Sequence, residues 1–529
     1  MALAPPLHVL AFASPLQGHL SPMLKLAEAL AIKGLLVTFL TTEHVYHRLG
    51  GADAPLCCRD GLRLRSVPDG LPADHPRLAG HLGEVMRSLR DTSREKYREL
   101  LVSLGKGEPD GLPPVTCTIV DAFLPFAAEV AAELGIPVMA FRTSGPCSFW
   151  AYFFVPKLIE QGEVPFPAPI LLFVCVGGFS NIVVWVVFLT LVRRPRAAEG
   201  CDMDELVRGV PGTEGFLRRR DLPSFCRAKD VNDPVIQATT LATQWNPRAR
   251  GLIFNSAEPM DAAVLAHIRT LCPSTYTVGP LHNLVRALDP SHIATAAAGL
   301  WREDRTCLAW LDAQPPKSVV FVSFGSLTVL SRAHLLEFWH GLVNTHHRFL
   351  WVIRPDLLEE TGGAGDVLPE LKEGTKEKGY LVEWAPQQEV LAHPAVGAFL
   401  THSGWNSTLE SISSGVPMVC WPFFFDQMVN SRYVSEVWRA GVDMKDICDR
   451  ATVEKMVRAV MEGETAEKLR KNAAALAEMV RSCVGEGGSS RVSLEKLVRD
   501  TKLGVFLEKH LTTRSSKARE EKHAEKGAS

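Results

Sequence analysis

The stretch VGAFLTHSGWNSTLESISSG, residues 396–415, limits the possible folds more than any other part of the chain. An apolar run of β character stops at His402, and a helical pattern begins at Trp405 and closes at Gly415. The backbone must turn within those few residues, and Gly404 lets it approach a neighbour closely. A strand, a tight turn and a helix N-terminus in that order aim free N–H groups and the positive end of the helix dipole at one place, which suits a diphosphate.

The same alternation runs through the chain twice. HVLAFA, HLSPMLKLAEALAIKG and LLVTFL read as strand, helix and strand, and CTIVD, AFLPFAAEVAAELG and IPVMAF repeat the pattern. A second series starts at SVVFVSFGS and continues through HRFLWVIRP, GYLVEWAP, VGAFLTH and PMVCWP. Between the two, VGPLHNLVRALDPSHIATAAAGLW is richer in loop residues and lacks sustained periodicity. A chain of 529 residues with 46% hydrophobic content can bury more than one core. The expected fold is α/β, with two doubly wound parallel-sheet domains at residues 1–280 and 304–503, a linker at 281–303 and a disordered, charge-rich tail at 504–529. Ligands bind beyond the carboxyl ends of the strands in such sheets, so two facing sheets can share a cleft.

The 44 residues from Trp384 to Gln427 carry the candidate binding chemistry. Asn406 and Ser407 fall in the first turn of the helix, where side-chain donors can join the amides. Glu410 follows Ser407 by three residues and shares its face, where a carboxylate can accept from two ribose hydroxyls. Taken singly, Trp384 reads as core filler, Glu410 as a solvated charge and Ser407 as a local cap. In this order and spacing they read together as a nucleotide-sugar site. The whole run, with THSGWNSTLE at its centre, resembles the signature box of plant UDP-dependent glycosyltransferases of small molecules.

That resemblance implies the GT-B arrangement, two Rossmann-like domains facing across a cleft. It also implies roles for the residues. Trp384 stacks on uracil, the backbone of Ala385 reads the base edge, and Gln387 with Glu410 holds the ribose. His402, Asn406, Ser407 and, in FVSFGS, Ser326 take the diphosphate, although Ser326 alone is an ordinary turn serine. Trp405, Asp426 and Gln427 contact the sugar, and a final glutamine goes with glucose. No Arg or Lys lies between Trp384 and Gln427 to pair with a glucuronyl carboxylate, so UDP-glucose is the expected donor.

The first domain has to supply a base. An acceptor hydroxyl has a pKa near about 10 if phenolic and about 16 if aliphatic, so its proton must be removed as it attacks. His19, in ASPLQGHLSP straight after the first strand, matches the family's catalytic histidine, and imidazole has a pKa of about 6.5. Asp121 matches the aspartate that orients it. On its own, Asp121 ends CTIVD just before a helix and reads as an N-cap, and its two oxygens allow both roles. The resemblance implies an inverting displacement that gives a β-glucoside, with no metal and no cofactor. The stretches VPGTEGFLRRRDLPSF and VNSRYVSEVWRAGVDMKD are most similar to enzymes glucosylating iridoid and monoterpenoid acids or alcohols, with flavonols as alternative acceptors.

Charge and cysteine usage exclude other classes. A net charge of −2 gives no electrostatic case for nucleic acid or an anionic membrane. The 12 cysteines form no metal-ligand spacing and read as reduced thiols. The first lysine is Lys25, so no basic region precedes an early apolar stretch, and the expected location is cytoplasmic. The expected partners are the donor and a small lipophilic acceptor, with the chain a monomer.

One segment departs from the family. Residues 170–192 contain 23 positions without a charge, followed by three arginines within four residues, which is long enough to span a bilayer. A span there would put His19 and Asp121 on one side and the Trp384 box on the other, so membrane insertion and a shared cleft exclude each other. The insertion, about 168–196, reads as a translated intervening sequence, with a hydrophobic lid or an anchor as alternatives. A different class of function, a UDP-sugar-binding protein inactivated by this insertion, is the competing expectation, and an epimerase or phosphorylase on the same scaffold is a third.

Overall fold

The structure is a computed structural model that describes residues 7–51, 60–75, 77, 81–106, 112–166, 202–290, 299–358, 368–375 and 378–502. The apolar insertion, the tail and part of the linker lie outside the described residues. Seven strands form the first sheet: β1 (His8–Phe12), β2 (Leu36–Thr42), β3 (Leu62–Val67), β4 (Val115–Asp121), β5 (Val138–Arg142), β6 (Gly251–Phe254) and β7 (Thr275–Thr277). Six form the second: β8 (Val319–Ser323), β9 (Arg348–Val352), β10 (Gly379–Val382), β11 (Val396–Thr401), β12 (Met418–Cys420) and β13 (Gly441–Asp443).

Every pairing between these strands is parallel. Helices cover both faces, which is why β1, β2, β5, β8 and β11 are buried at every position and read as continuous apolar runs rather than alternations. The orders are β3-β2-β1-β4-β5-β6-β7 and β10-β9-β8-β11-β12-β13. Both sheets therefore reverse direction at their first strand, between β1 and β4 and between β8 and β11. A crevice opens at such a switch point, beyond the carboxyl ends of the strands.

β3, β6, β7 and β13 are short or charged and were not legible as strands; β3, LRLRSV, carries two arginines. Leu281–Leu288, in the stretch that reads as loop, is a helix whose Leu281, Leu284 and Val285 join the core of the first sheet. That core also takes Val484, Leu494, Leu497 and Val498 from the end of the described chain, although these residues follow the second sheet in sequence. Tyr276 Oη donates to Asp500 at 2.8 Å and Ser490 Oγ donates to the Gly279 carbonyl, tying this return to the first domain. Among the described residues no helix is long and apolar enough to cross a membrane.

Candidate functional site

The two switch points face one cavity of about 380 Å³ between the sheets, bordered by His19, Ser326, Trp384, Ala385, Gln387, His402, Trp405, Asn406, Ser407, Glu410, Asp426 and Gln427. On the first-sheet side, β1 ends at Phe12 and the helix Gln17–Ile32 starts five residues later, so His19 lies in its first turn. Asp121 ends β4, the strand paired with β1. His19 Nδ1 lies 2.8 Å from Asp121 Oδ2, with His19 partly exposed at 19% and Asp121 fully buried. A carboxylate only accepts, so Nδ1 carries the proton and Nε2 keeps its lone pair. Thr143 Oγ1 sits 3.1 Å from the same Nδ1, and Phe123 packs edge-on against the ring.

Asp121 is not an N-cap. The helix that follows begins at Pro125 and its cap, Leu124, makes no side-chain bond. Asp121 Oδ1 instead accepts from the Phe123 N–H at 2.9 Å, two residues on, which closes a local turn. One oxygen thus faces His19 and the other closes a turn, so the expected capping role is not filled.

On the second-sheet side, the helix Trp405–Ser414 follows β11 and ends at Gly415 in the left-handed conformation, φ 67°. No side chain caps its N-terminus, so the first-turn N–H groups stay available to an anion. Gly325 and Gly404 flank the His402 ring: a Cβ on either would come within 2.4 Å of Nε2. Burial, with the Arg354 cation adding to it, pushes the His402 imidazole down to about 3, so the ring is neutral at the turn between β11 and the helix.

Gln387 Nε2 donates to Ser407 Oγ at 2.9 Å and to Glu410 Oε2 at 2.7 Å, and Gln388 Nε2 donates to the other Glu410 oxygen at 3.0 Å. Ser407 therefore joins Gln387 and Glu410 while sitting in the first turn of the helix. Burial holds the Glu410 carboxyl above its ordinary range. Trp384 stacks on Trp301, centroids 5.6 Å apart and planes 21° apart, which covers one face of its indole.

Two residues, Asn406 and Trp405, do more between domains than their expected roles require. Asn406 Nδ2 donates to the Gly18 carbonyl at 2.9 Å, one residue before His19. The Trp405 indole is inserted into the seam, where Nε1 donates to the Asn255 carbonyl at 2.7 Å and the ring packs on Gly145, so only its backbone is left for a sugar. Gln427 Oε1 accepts from Phe423 N–H and Phe424 N–H at 2.8 and 3.0 Å. Two backbone donors fix which way that amide points, leaving Nε2 for a ligand. Asp426 accepts from Asn430 Nδ2 at 2.8 Å, and its enclosed surroundings raise its carboxyl above the ordinary range.

Several residues at the site gave no sequence signal. Arg354 is buried and its guanidinium donates to the carbonyls of Gly325 and Thr328, bracing the turn that carries Ser326. Arg142 ends β5 fully buried, its cation over the rings of Phe123, Phe149 and Tyr152, and burial lowers it to about 10, so it stays charged. Phe123, Tyr152, Met86, Phe424 and Phe425 line the cavity near His19, giving that end an apolar wall. Among the described residues, the His, Cys, Asp or Glu grouping close enough to share a metal is His75, His81 and Glu84. None of the three lines the cavity. His75 Nδ1 accepts from the Arg77 N–H, so Nε2 carries the proton and offers no lone pair.

Residues 266–481 match the family model described as UDP-glucoronosyl and UDP-glucosyl transferase. The chain is 44% identical to a 7-deoxyloganetic acid glucosyl transferase of Catharanthus roseus, across 93% of this chain and 97% of that protein. It is 45% identical to a myricetin 3-O-rhamnoside 1,2-glucosyltransferase of Crocosmia x crocosmiiflora, across 93% and 95%. Its fold is similar to the crystal structure of Os79 from O. sativa in complex with UDP, with a TM-score of 0.74 at 28% identity, covering 93% of this chain and 100% of that one.

Proposed function

The chain belongs to the UDP-glycosyltransferase family, and from that premise we propose that it moves glucose from UDP-glucose to an oxygen of a small lipophilic metabolite, of the iridoid, terpenoid or flavonoid kind, with inversion to a β-glucoside. One observation carries the reading: His19, bonded to the buried Asp121 behind it, borders the same cavity as an uncapped helix N-terminus and the Trp384–Glu410 group. The first supplies a base with a free lone pair and the second a cradle for a nucleoside diphosphate. In this reading residues 1–280 receive the acceptor and residues 304–503 hold the donor, with 281–303 linking them.

The geometry supports the following reaction. Nε2 of His19 takes the acceptor proton as the acceptor oxygen bonds to the anomeric carbon. The bond from that carbon to the β-phosphate oxygen breaks, and UDP leaves with the electron pair. Asp121 holds the proton on Nδ1 and stabilises the imidazolium that forms. Helix N–H groups, Ser326, Asn406 and Ser407 stabilise the leaving charge, and a neutral His402 can add a hydrogen bond without a fixed cation. Trp384 and the Ala385 backbone hold uracil, Gln387 and Glu410 the ribose, and Asp426, Gln427 and the Trp405 backbone the sugar. No metal or cofactor has a step in this scheme, and the proposed setting is a cytoplasmic monomer.

The test is UDP release from UDP-glucose by the full chain with a pool of iridoid, terpenoid and phenolic acceptors, beside UDP-galactose, UDP-glucuronate and a no-acceptor control. Acceptor-dependent release favouring UDP-glucose is expected. Tight UDP binding with no release from any acceptor would instead favour a binding protein without turnover.

A further inference from the structure

The two stretches VPGTEGFLRRRDLPSF and VNSRYVSEVWRAGVDMKD come from different domains, yet they meet. Asp221, fully buried in a short turn of the first domain, lies 2.8 Å from Lys445 Nζ and 3.3 Å from Arg432 Nε of the second. Within its own stretch it accepts from the Arg218 N–H and from Arg218 Nε, both at 2.9 Å. Lys445, itself buried, also donates to the Met428 carbonyl at 2.9 Å and faces Asp443 at 3.1 Å. Arg432 Nε donates to the Phe216 carbonyl at 2.8 Å, and Phe216 packs edge-on against Tyr433. Burial pushes the Asp221 carboxyl up, but Lys445 and Arg218 together pull it further down, so it stays ionised below the ordinary aspartate range.

Three residues beyond Asp221, Ser224 Oγ accepts from the Phe425 N–H at 2.8 Å. Phe425 has φ 54°, a conformation rare for an aromatic residue, and it directly precedes Asp426. The N–H groups of Phe423 and Phe424 bond to the Gln427 side chain, and the Gln427 N–H to the Phe424 carbonyl, all within the second domain. The loop that offers Asp426 and Gln427 to the cavity is thus completed by one hydroxyl from the opposite domain. Phe225 reinforces the contact, its ring 6.4 Å from Phe425 and 5.2 Å from Tyr152 of the apolar wall.

We propose that Asp221 and Ser224 form an interdomain latch that positions the sugar-facing loop Phe423–Gln427, so that the donor sugar is gripped only when the two domains are docked. This inference rests on the reading of the cavity as a UDP-glucose site. The charges suit a contact that opens and closes. If the domains part, Asp221 keeps Arg218, Lys445 keeps Asp443, and Arg432 keeps Glu436, 2.8 Å away, so no ion is stranded. Asp221 and Ser224 are positioning residues, since neither borders the cavity.

The latch acts on the sugar and leaves the nucleotide contacts alone, which gives its test a readout that general destabilisation would not reproduce. Calorimetry on the full chain should find that Ser224→Ala weakens UDP-glucose binding about tenfold, the loss of one bond to an enclosed N–H, while UDP affinity stays within about twofold. Ser224→Thr should restore it, and Asp221→Asn should move UDP-glucose in the same direction as Ser224→Ala. Equal weakening of UDP and UDP-glucose, or no change in either variant, overturns the latch. Because the readout is binding, wild-type protein that binds UDP-glucose more tightly than UDP but transfers nothing would sink the proposed activity and leave the latch standing.

Discussion

The two sides of the cavity are built on one topology and carry opposite chemistry. At the β1/β4 switch point the strand ends bear an ionisable couple, His19 and the buried Asp121, against an apolar wall. At the β8/β11 switch point they bear glycine turns, an open helix end and a histidine held neutral near 3 by burial and Arg354. A sheet order fixes where a crevice forms, while the few residues after each strand decide what it does. One side can move a proton, and the other can hold an anion without titrating.

The largest break of that contrast comes from the first side. His19→Ala should lower kcat by roughly 100- to 10,000-fold while leaving UDP affinity unchanged, read by initial rates of UDP release and by calorimetry. Asp121→Asn keeps a carbonyl oxygen for the Phe123 N–H but removes the anion beside Nδ1, so kcat should fall about 100-fold with the donor KM little changed. A matching fall in UDP affinity in either variant would mean that the two sides are not separable.

Glu410→Gln tests the second side. It replaces the acceptor of two amide bonds and should weaken UDP about tenfold, with kcat at saturating donor changed by less than about threefold.

The smallest effect lies at the seam. Asp261 is buried and accepts from Ser256 Oγ at 2.8 Å, and burial pushes its carboxyl up to about 7. Its folded pKa exceeds its unfolded value, so the folded state binds the extra proton and stability falls as pH rises from about 4 to about 7. Asp261→Asn, which cannot ionise, should raise the melting temperature by a few degrees at pH 8 and less at pH 5. An equal shift at both pH values would show that the carboxyl titrates in its ordinary range.

The donor half was far more legible in the sequence than the seam. Trp384 to Gln427 is contiguous, and strand, turn and helix keep its residues in register, so Ser407 and Glu410 share a helix face by spacing alone. The long strands were legible because burial on both faces makes them apolar throughout; β3 and β13 were not, being an arginine-bearing edge strand and a three-residue edge strand. Taken on its own, Asp121 read as a cap because its position before a helix is the same for a cap and for a turn, and only the backbone separates them.

The sequence by itself determined the fold class and the family, and it singled out the Trp384–Gln427 box and the candidate base, since each depends on residues close together or on a periodic burial pattern. The tertiary structure decided what depends on distance: that His19 meets Asp121 across 102 positions, that the Trp405 indole goes to Asn255 across 150, and that Ser224 completes a loop 201 residues away. No local propensity encodes such contacts, because they exist only once two separately wound sheets have packed face to face.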